Sequence, residues 1–211
     1  VLVVLSLLGV TIAHAEDGRV PPRTRSKPPA TTRAMVHRLF LDLQDDGLDL
    51  TRCDRASRRR AAAATKDDRL LVVDTVAAAA AGYKLESVVG ATARFMPFGT
   101  GLRLSRPDGT RVEPSNGWAL LALVDGNRDG ILDRNDLIWT SLALARDRSD
   151  VVDASDIETL AGAGVVTLGP RTSPASERDP LGNELTHGEF SLASHTRGRM
   201  SDVALASCDP S

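Results

Sequence analysis

The chain has 211 residues, of which 42% are hydrophobic, 3% aromatic and 26% charged, with a formal net charge of -2. That length suits one ordinary domain with tails, and the scarcity of aromatic residues predicts a core of Leu, Val and Ala. The near-neutral balance excludes the general electrostatic affinity of a nucleic-acid or anionic-membrane binder.

Residues 1–15 read as a secretory signal peptide. Residues 1–10 are almost purely apolar, Thr11 and Ile12 extend them, and Ala13-His14-Ala15 places small residues around a cleavage-site spacer. The run is too short for a bilayer-spanning helix, so no membrane span is expected after cleavage, and the product is expected to be secreted, periplasmic or at the cell surface. Residues 16–34 are Pro-rich, basic and without apolar periodicity, which predicts a disordered linker. Ordered structure is expected over residues 35–211. Cys53 and Cys208 are a pair that an oxidising compartment could join, a question that sequence leaves open. Their spacing does not suit zinc.

Within the ordered part, residues 36–41 have strand character and lead into an acidic turn at 42–47. Residues 52–69, with Arg58-Arg59-Arg60 and the alanines that follow, read as a solvated insert. Leu70-Leu71-Val72-Val73-Asp74 predicts a second strand, and residues 77–81 fit helix or filler equally. Pro107-Asp108-Gly109-Thr110 is a turn by its chemistry. Ser115 or Asn116 can cap a helix through Trp118-Ala119-Leu120-Leu121-Ala122-Leu123, with Trp118 and Trp139 as core anchors. A second helix is expected from residue 136, extended chain at 142–145, a short helix at 156–161 and a strand at 165–168. Residues 174–180 read as an exposed connector. The alternation in 184–192 and 200–206 predicts a C-terminal hairpin.

The segment between the two expected helices carries the chemistry. In Asp125-Gly126-Asn127-Arg128-Asp129-Gly130-Ile131-Leu132-Asp133-Arg134-Asn135-Asp136, oxygen-bearing residues recur at loop positions one, three, five, nine and twelve. Calcium needs six to eight hard oxygen ligands, and a short loop supplies them only by wrapping the ion in this alternating way. Asp125, Asn127, Asp129, Asp133 and Asp136 are the candidate side-chain ligands, and Ile131 would offer its carbonyl. Gly130 permits the sharp turn. Leu132 is apolar within an acidic loop and must pack inward. Asp136 stands where a calcium sensor has Glu; being one methylene shorter, it predicts weaker calcium affinity or less discrimination against magnesium, and weak affinity suits an exported protein, since extracellular modules work at roughly 10⁻⁴ to 10⁻³ M. A second, shortened copy over residues 147–156 lacks the turn glycine, and Asp147, Ser149 and Asp156 are its candidate ligands. The turn at 42–47 is a weaker candidate still.

Asn116-Gly117-Trp118-Ala119-Leu120, the loop 125–136, the second acidic loop and Gly164-Val165-Val166-Thr167-Leu168 together resemble the calcium-binding EF-hand regions of secreted bacterial proteins, including those near repeats-in-toxin and hemolysin-type proteins. The closing segment from Asp179-Pro180-Leu181-Gly182-Asn183-Glu184-Leu185 to Ser201-Asp202-Val203 resembles the hairpin of that region. The resemblance covers most of residues 36–206, with 125–136 as its one sharp match. It implies an α+β fold: an EF-hand-like helix-loop-helix pair over 116–162, one loop intact and one degenerate, flanked by short antiparallel strands and a C-terminal β-hairpin. The implied function is calcium binding that stabilises an exported domain, with a cell-surface or protein partner left unidentified. A dockerin-like interaction module is the alternative, since Asp136-Leu137 and Asp156-Ile157 place an apolar residue after the closing acid. No nucleophile elbow, phosphate-binding glycine loop or zinc-type histidine pair accompanies His37, His187, His195 or Ser191, so no enzyme is expected.

Overall fold

The computed structural model describes residues 36–48, 50, 67–88, 90, 92–146, 152, 154–172, 176–179 and 181–205. The expected signal peptide, the linker, both cysteines, Asp147 and Ser149 lie outside the described residues.

The chain order is β1 (Val36–Asp42), β2 (Asp68–Asp74), α1 (Thr75–Ala80), β3 (Lys84–Ser87), β4 (Phe95–Pro97), β5 (Leu102–Ser105), β6 (Arg111–Val112), α2 (Gly117–Val124), β7 (Leu132–Asp133), β8 (Leu142–Ala145), β9 (Ile157–Thr159), β10 (Val165–Arg171), β11 (Glu177–Arg178), β12 (Glu184–Leu192) and β13 (Arg197–Leu205). Single 3₁₀ turns occupy Trp139–Ser141 and Ala154–Asp156. Ten strands form one antiparallel sheet, curled into a half-barrel, in the order β7-β10-β12-β13-β1-β2-β8-β9, with β11 on β12 and β4 on β2. A second, separately hydrogen-bonded sheet of β3, β5 and β6 shares a core with it through Leu85, Leu102 and Leu104.

The central strands are apolar on both faces, which explains their unbroken hydrophobic runs. Leu39 and Leu41 of β1 and Leu71 and Val73 of β2 face one core, shared with Phe98, Leu104 and Leu120. Phe40, Leu70 and Val72 face a second, with Ala143, Leu185 and Val203. Asp74 caps α1, its carboxylate accepting from the N–H groups of Val76 and Ala77. Burial pushes the Asp74 carboxyl up, but the Arg94 guanidinium and those two N–H groups together hold it below its ordinary value. Asn116 caps α2 by accepting from Ala119 N–H at 2.8 Å. The C-terminal hairpin runs from Ser191↔Arg197 to Glu184↔Ala204, as the alternation predicts.

Trp118 is buried in the first core, and its Nε1 donates to Thr186 Oγ1 at 2.7 Å, which fastens α2 to β12. Trp118→Phe removes that donor and part of a packed ring, and is expected to cost more than about 1 kcal/mol in urea denaturation, the net worth of one such bond before the cavity is added.

The α+β helix-loop-helix expectation is overturned. α2 does enter the loop 125–136, but the chain leaves it by a turn and one 3₁₀ turn, then runs into strand β8. The reason lies in Leu142-Ala143-Leu144-Ala145, all four of which are buried. An exiting amphipathic helix would bury one stripe only, whereas β8 lies between β2 and β9 and buries both faces. The short helix expected over 156–161 is replaced by β9. Among the described residues the loop's own strand β7 pairs with β10, through Leu132↔Leu168 and Thr167↔Asp133. The fold is therefore mostly β, with two short α-helices among the described residues.

Candidate metal centres

The loop 125–136 is closed by its own carboxylates. Asp125 is buried and accepts from Arg128 N–H through Oδ1 at 2.7 Å and from Gly130 N–H through Oδ2 at 2.9 Å. Asp136 is also buried, and it accepts from Gly126 N–H at 2.8 Å and from Asp133 N–H at 3.0 Å. The first and twelfth positions thus clamp the loop from both ends. Asn127, Asp129 and Asp133 each accept an N–H two residues on, in Asx turns at its surface. Ile131 is exposed, while Leu132 is buried in the first core. Tyr83 lies behind the loop: a Cβ on Gly126 would stand 3.9 Å from its hydroxyl. Burial raises the Tyr83 hydroxyl above its ordinary value; the Arg106 cation opposes this, and the charges of Asp136, Asp108 and Asp125 add to it.

The turn after β1 repeats this backbone. Asp42 accepts from Asp45 N–H through Oδ1 at 2.7 Å and from Gly47 N–H through Oδ2 at 2.8 Å, so the bonds again run to the third and fifth residues on. The third residue is left-handed in both loops, with φ of 57° at Asp45 and 61° at Arg128. The fifth is a glycine at positive φ in both, Gly47 and Gly130, where a side chain would be strained. Asp42-Leu43-Gln44-Asp45-Asp46-Gly47 and Asp125-Gly126-Asn127-Arg128-Asp129-Gly130 are the same turn written twice.

At the first turn the carboxylates also converge. Asp42, Asp46 and Asp67 each offer an oxygen within 4.8 Å of the others, and among the described residues they are the one group of three or more potential metal-binding side chains to do so. The acids of the loop 125–136 do not gather to that extent. Asp67 arrives from the opposite strand of the sheet, because β1 and β2 pair Asp42 with Asp68. One Asp67 oxygen is buried without a hydrogen bond. Loss of water raises the Asp46 carboxyl above its ordinary value, and the charge of Asp67, a hydrogen bond with Asp67 and the charge of Asp42 raise it further. Crowded like charges of this kind favour either a proton or a cation among them. The donors are all hard oxygens, as calcium or magnesium requires.

A model of the SPM domain matches residues 39–206. The chain belongs to the SPM domain family. The matched stretch takes in both acid turns and runs from β1 to the end of β13. No curated protein sequence matches this chain.

Sequence reasoning did not bring a third carboxylate to the Asp42 turn of this SPM domain, because that carboxylate comes from residue 67. The available signal was Asp67-Asp68 at the mouth of the apolar strand 70–74, opposite Asp42 at the end of the strand before it. Asp156 is exposed at the end of a 3₁₀ turn. Of the histidines, His195 is exposed in the hairpin turn, while His187 Nδ1 lies 2.9 Å from Ser201 Oγ and its Nε2 3.3 Å from Glu177. That trio resembles a nucleophile relay, with Ser201 only 2% exposed. His37 pairs with Asp202 instead.

Proposed function

We propose that this SPM domain is a calcium-binding domain of an exported protein, tightened by the ion at two related acid turns. One is the loop 125–136, with Asp125, Asn127, Asp129, Asp133, Asp136 and the Ile131 carbonyl as ligands. The other is the Asp42, Asp46 and Asp67 cluster. The observation that carries the reading is the repeated turn, in which an aspartate and a positive-φ glycine wrap the backbone around a carboxylate. The extension of that turn to three convergent carboxylates at Asp42 supports it.

Isothermal titration of the chelated protein with calcium is the direct test. Uptake at millimolar calcium, reduced by Asp125→Ala and by Asp46→Asn, is the expected result. At a calcium concentration about 100-fold above the dissociation constant, binding adds roughly 2.7 kcal/mol, or about 5–10 °C in melting temperature for a domain of this size. No heat and no thermal shift would remove the proposal.

Tyr83 offers a second readout, since it is the chain's one tyrosine. The negative charges of Asp136 and Asp125 help to raise its hydroxyl, so a cation held between them should lower it again. Spectrophotometric titration of the phenol is expected to move toward lower pH with calcium, and Asp125→Ala should abolish that response.

The dockerin-like alternative draws on Leu137 and Ile131, which are 66% and 41% exposed on either side of the loop's end. Calcium-dependent capture by cohesin-type domains, lost in Leu137→Lys, would favour it.

A further inference from the structure

Away from the acid turns, a buried carboxylate, that of Asp202 on β13, sits where three elements meet. It is 3% exposed. Its Oδ2 receives the Gly117 N–H at 3.3 Å and lies 3.1 Å from His37 Nδ1, while its Oδ1 has no hydrogen-bond partner. The carboxylate therefore joins three elements: its own strand, β1 through His37, and the first residue of α2. The junction is close-packed. A Cβ on Gly117 would overlap Leu39 Cγ and stand 3.3 Å from Asp202 Oδ1, so the helix can start here only with glycine.

A charged carboxylate with a bare buried oxygen is costly unless positive charge faces it. The amino end of an eight-residue helix supplies a fraction of a charge. A protonated His37 supplies a whole one. Its side chain is 27% exposed, so solvent protons reach it while Asp202 stays covered. Among the described residues, the other groups around His37 are these. Glu184 on β12 adds negative charge. Arg38 turns its guanidinium to the carbonyls of His37 and Thr100. Thr100 Oγ1 accepts the His37 N–H. The first turn of α2 carries no acid, and its last turn no base.

We propose that His37, Asp202 and the amino end of α2 form a proton-operated latch: protonated His37 balances Asp202 and holds the start of α2 against β1 and β13, and loss of that proton slackens the hold. The inference does not rest on calcium binding. The direction of the His37 pKa agrees with it. The hydrogen bond to Asp202 raises it above 6.5, burial opposes this, and the charges of Asp202 and Glu184 raise it further. A histidine raised on folding contributes stability that is complete below its unfolded pKa and is lost as pH rises through the folded one. The latch is closed in mild acid and slack in mild alkali.

The test is amide hydrogen exchange of the full chain in chelator, between about pH 5.5 and about pH 8.5, corrected for intrinsic rates. The wild type should lose protection at the amides of Gly117 and Ala119 several-fold as pH rises. His37→Gln keeps a donor but cannot titrate, and should show a flat profile. A wild-type profile as flat as the variant's, or a variant that keeps the wild-type slope, overturns the proposal. Should the variant fail to fold, NMR titration of His37 in the wild type decides: titration above the ordinary imidazole value supports the latch, and titration at or below it refutes the latch. Because chelator is present throughout, failure of the calcium reading leaves this result unaffected.

Discussion

Asp42→Ala is expected to destabilise the metal-free domain by about 2–3 kcal/mol, whereas Asp46→Asn, in the same cluster, should leave it as stable or more so. The contrast follows from what each carboxylate touches. Asp42 is 1% exposed, and its two oxygens bind the N–H groups of Asp45 and Gly47, so its loss uncaps the turn whether or not a cation is present. Asp46 is exposed and crowded by Asp67 and Asp42, so the charge it carries works against the folded state until something positive arrives. Calcium should cancel the advantage of Asp46→Asn over the wild type, because that variant gains resting stability but loses binding at this cluster, as Asp42→Ala also does. Urea denaturation of both variants, with calcium and with chelator, separates the two roles. A loss of stability in Asp46→Asn under chelator, together with an unchanged calcium response, would reduce the cluster to a structural turn.

Gly99→Ala should cost at least about 3 kcal/mol, the range reserved for substitutions that force a backbone clash. A Cβ there would overlap the carbonyl oxygen of His37 and lie 2.8 Å from its carbon. Neither side can yield cheaply. Residue 99 is bridged to Arg38, with Thr100 N–H bonded to His37 O at 3.2 Å and Leu39 N–H to Phe98 O at 3.1 Å. β1 is itself held between β13 and β2. At about 2–4 °C per kcal/mol, the melting temperature should fall by roughly 6–12 °C or more. Gly101→Ala is the control: its φ is +85° but a Cβ there meets nothing within 4 Å, so only the left-handed backbone is penalised. Equal melting temperatures for Gly99→Ala and the wild type would mean that β1 does not approach this loop so closely.

The sequence made the local devices legible and the assembly illegible. Asn116 as a cap, the turn at 107–110, the alternating hairpin and the inward Leu132 each depend on neighbours within a few residues, and they stand where the pattern puts them. The loop grammar of 125–136 describes one turn of backbone. It carries no information on whether the chain leaves as helix or strand. That was decided by Leu142-Ala143-Leu144-Ala145 docking between β2 and β9, a contact with residues 70–73 on one side and 157–159 on the other. Asp67 joined Asp42 by the same kind of long-range pairing. The acid-lined turns were thus readable as turns, but their shared membership of a curled sheet was not.

The strand that opens the sheet, β1, is finished only by the strand that closes it. Val36 faces Leu205 and Asp42 faces Arg199, across more than a hundred and fifty residues of intervening chain. Contacts of such wide sequence separation incur their entropy before they return any stability, which makes for slow folding. Until β13 arrives, β1 keeps one bare row of backbone donors and acceptors, an invitation to pair with another chain. A shortened product ending before residue 197 would carry that open border permanently, and should be the form that aggregates.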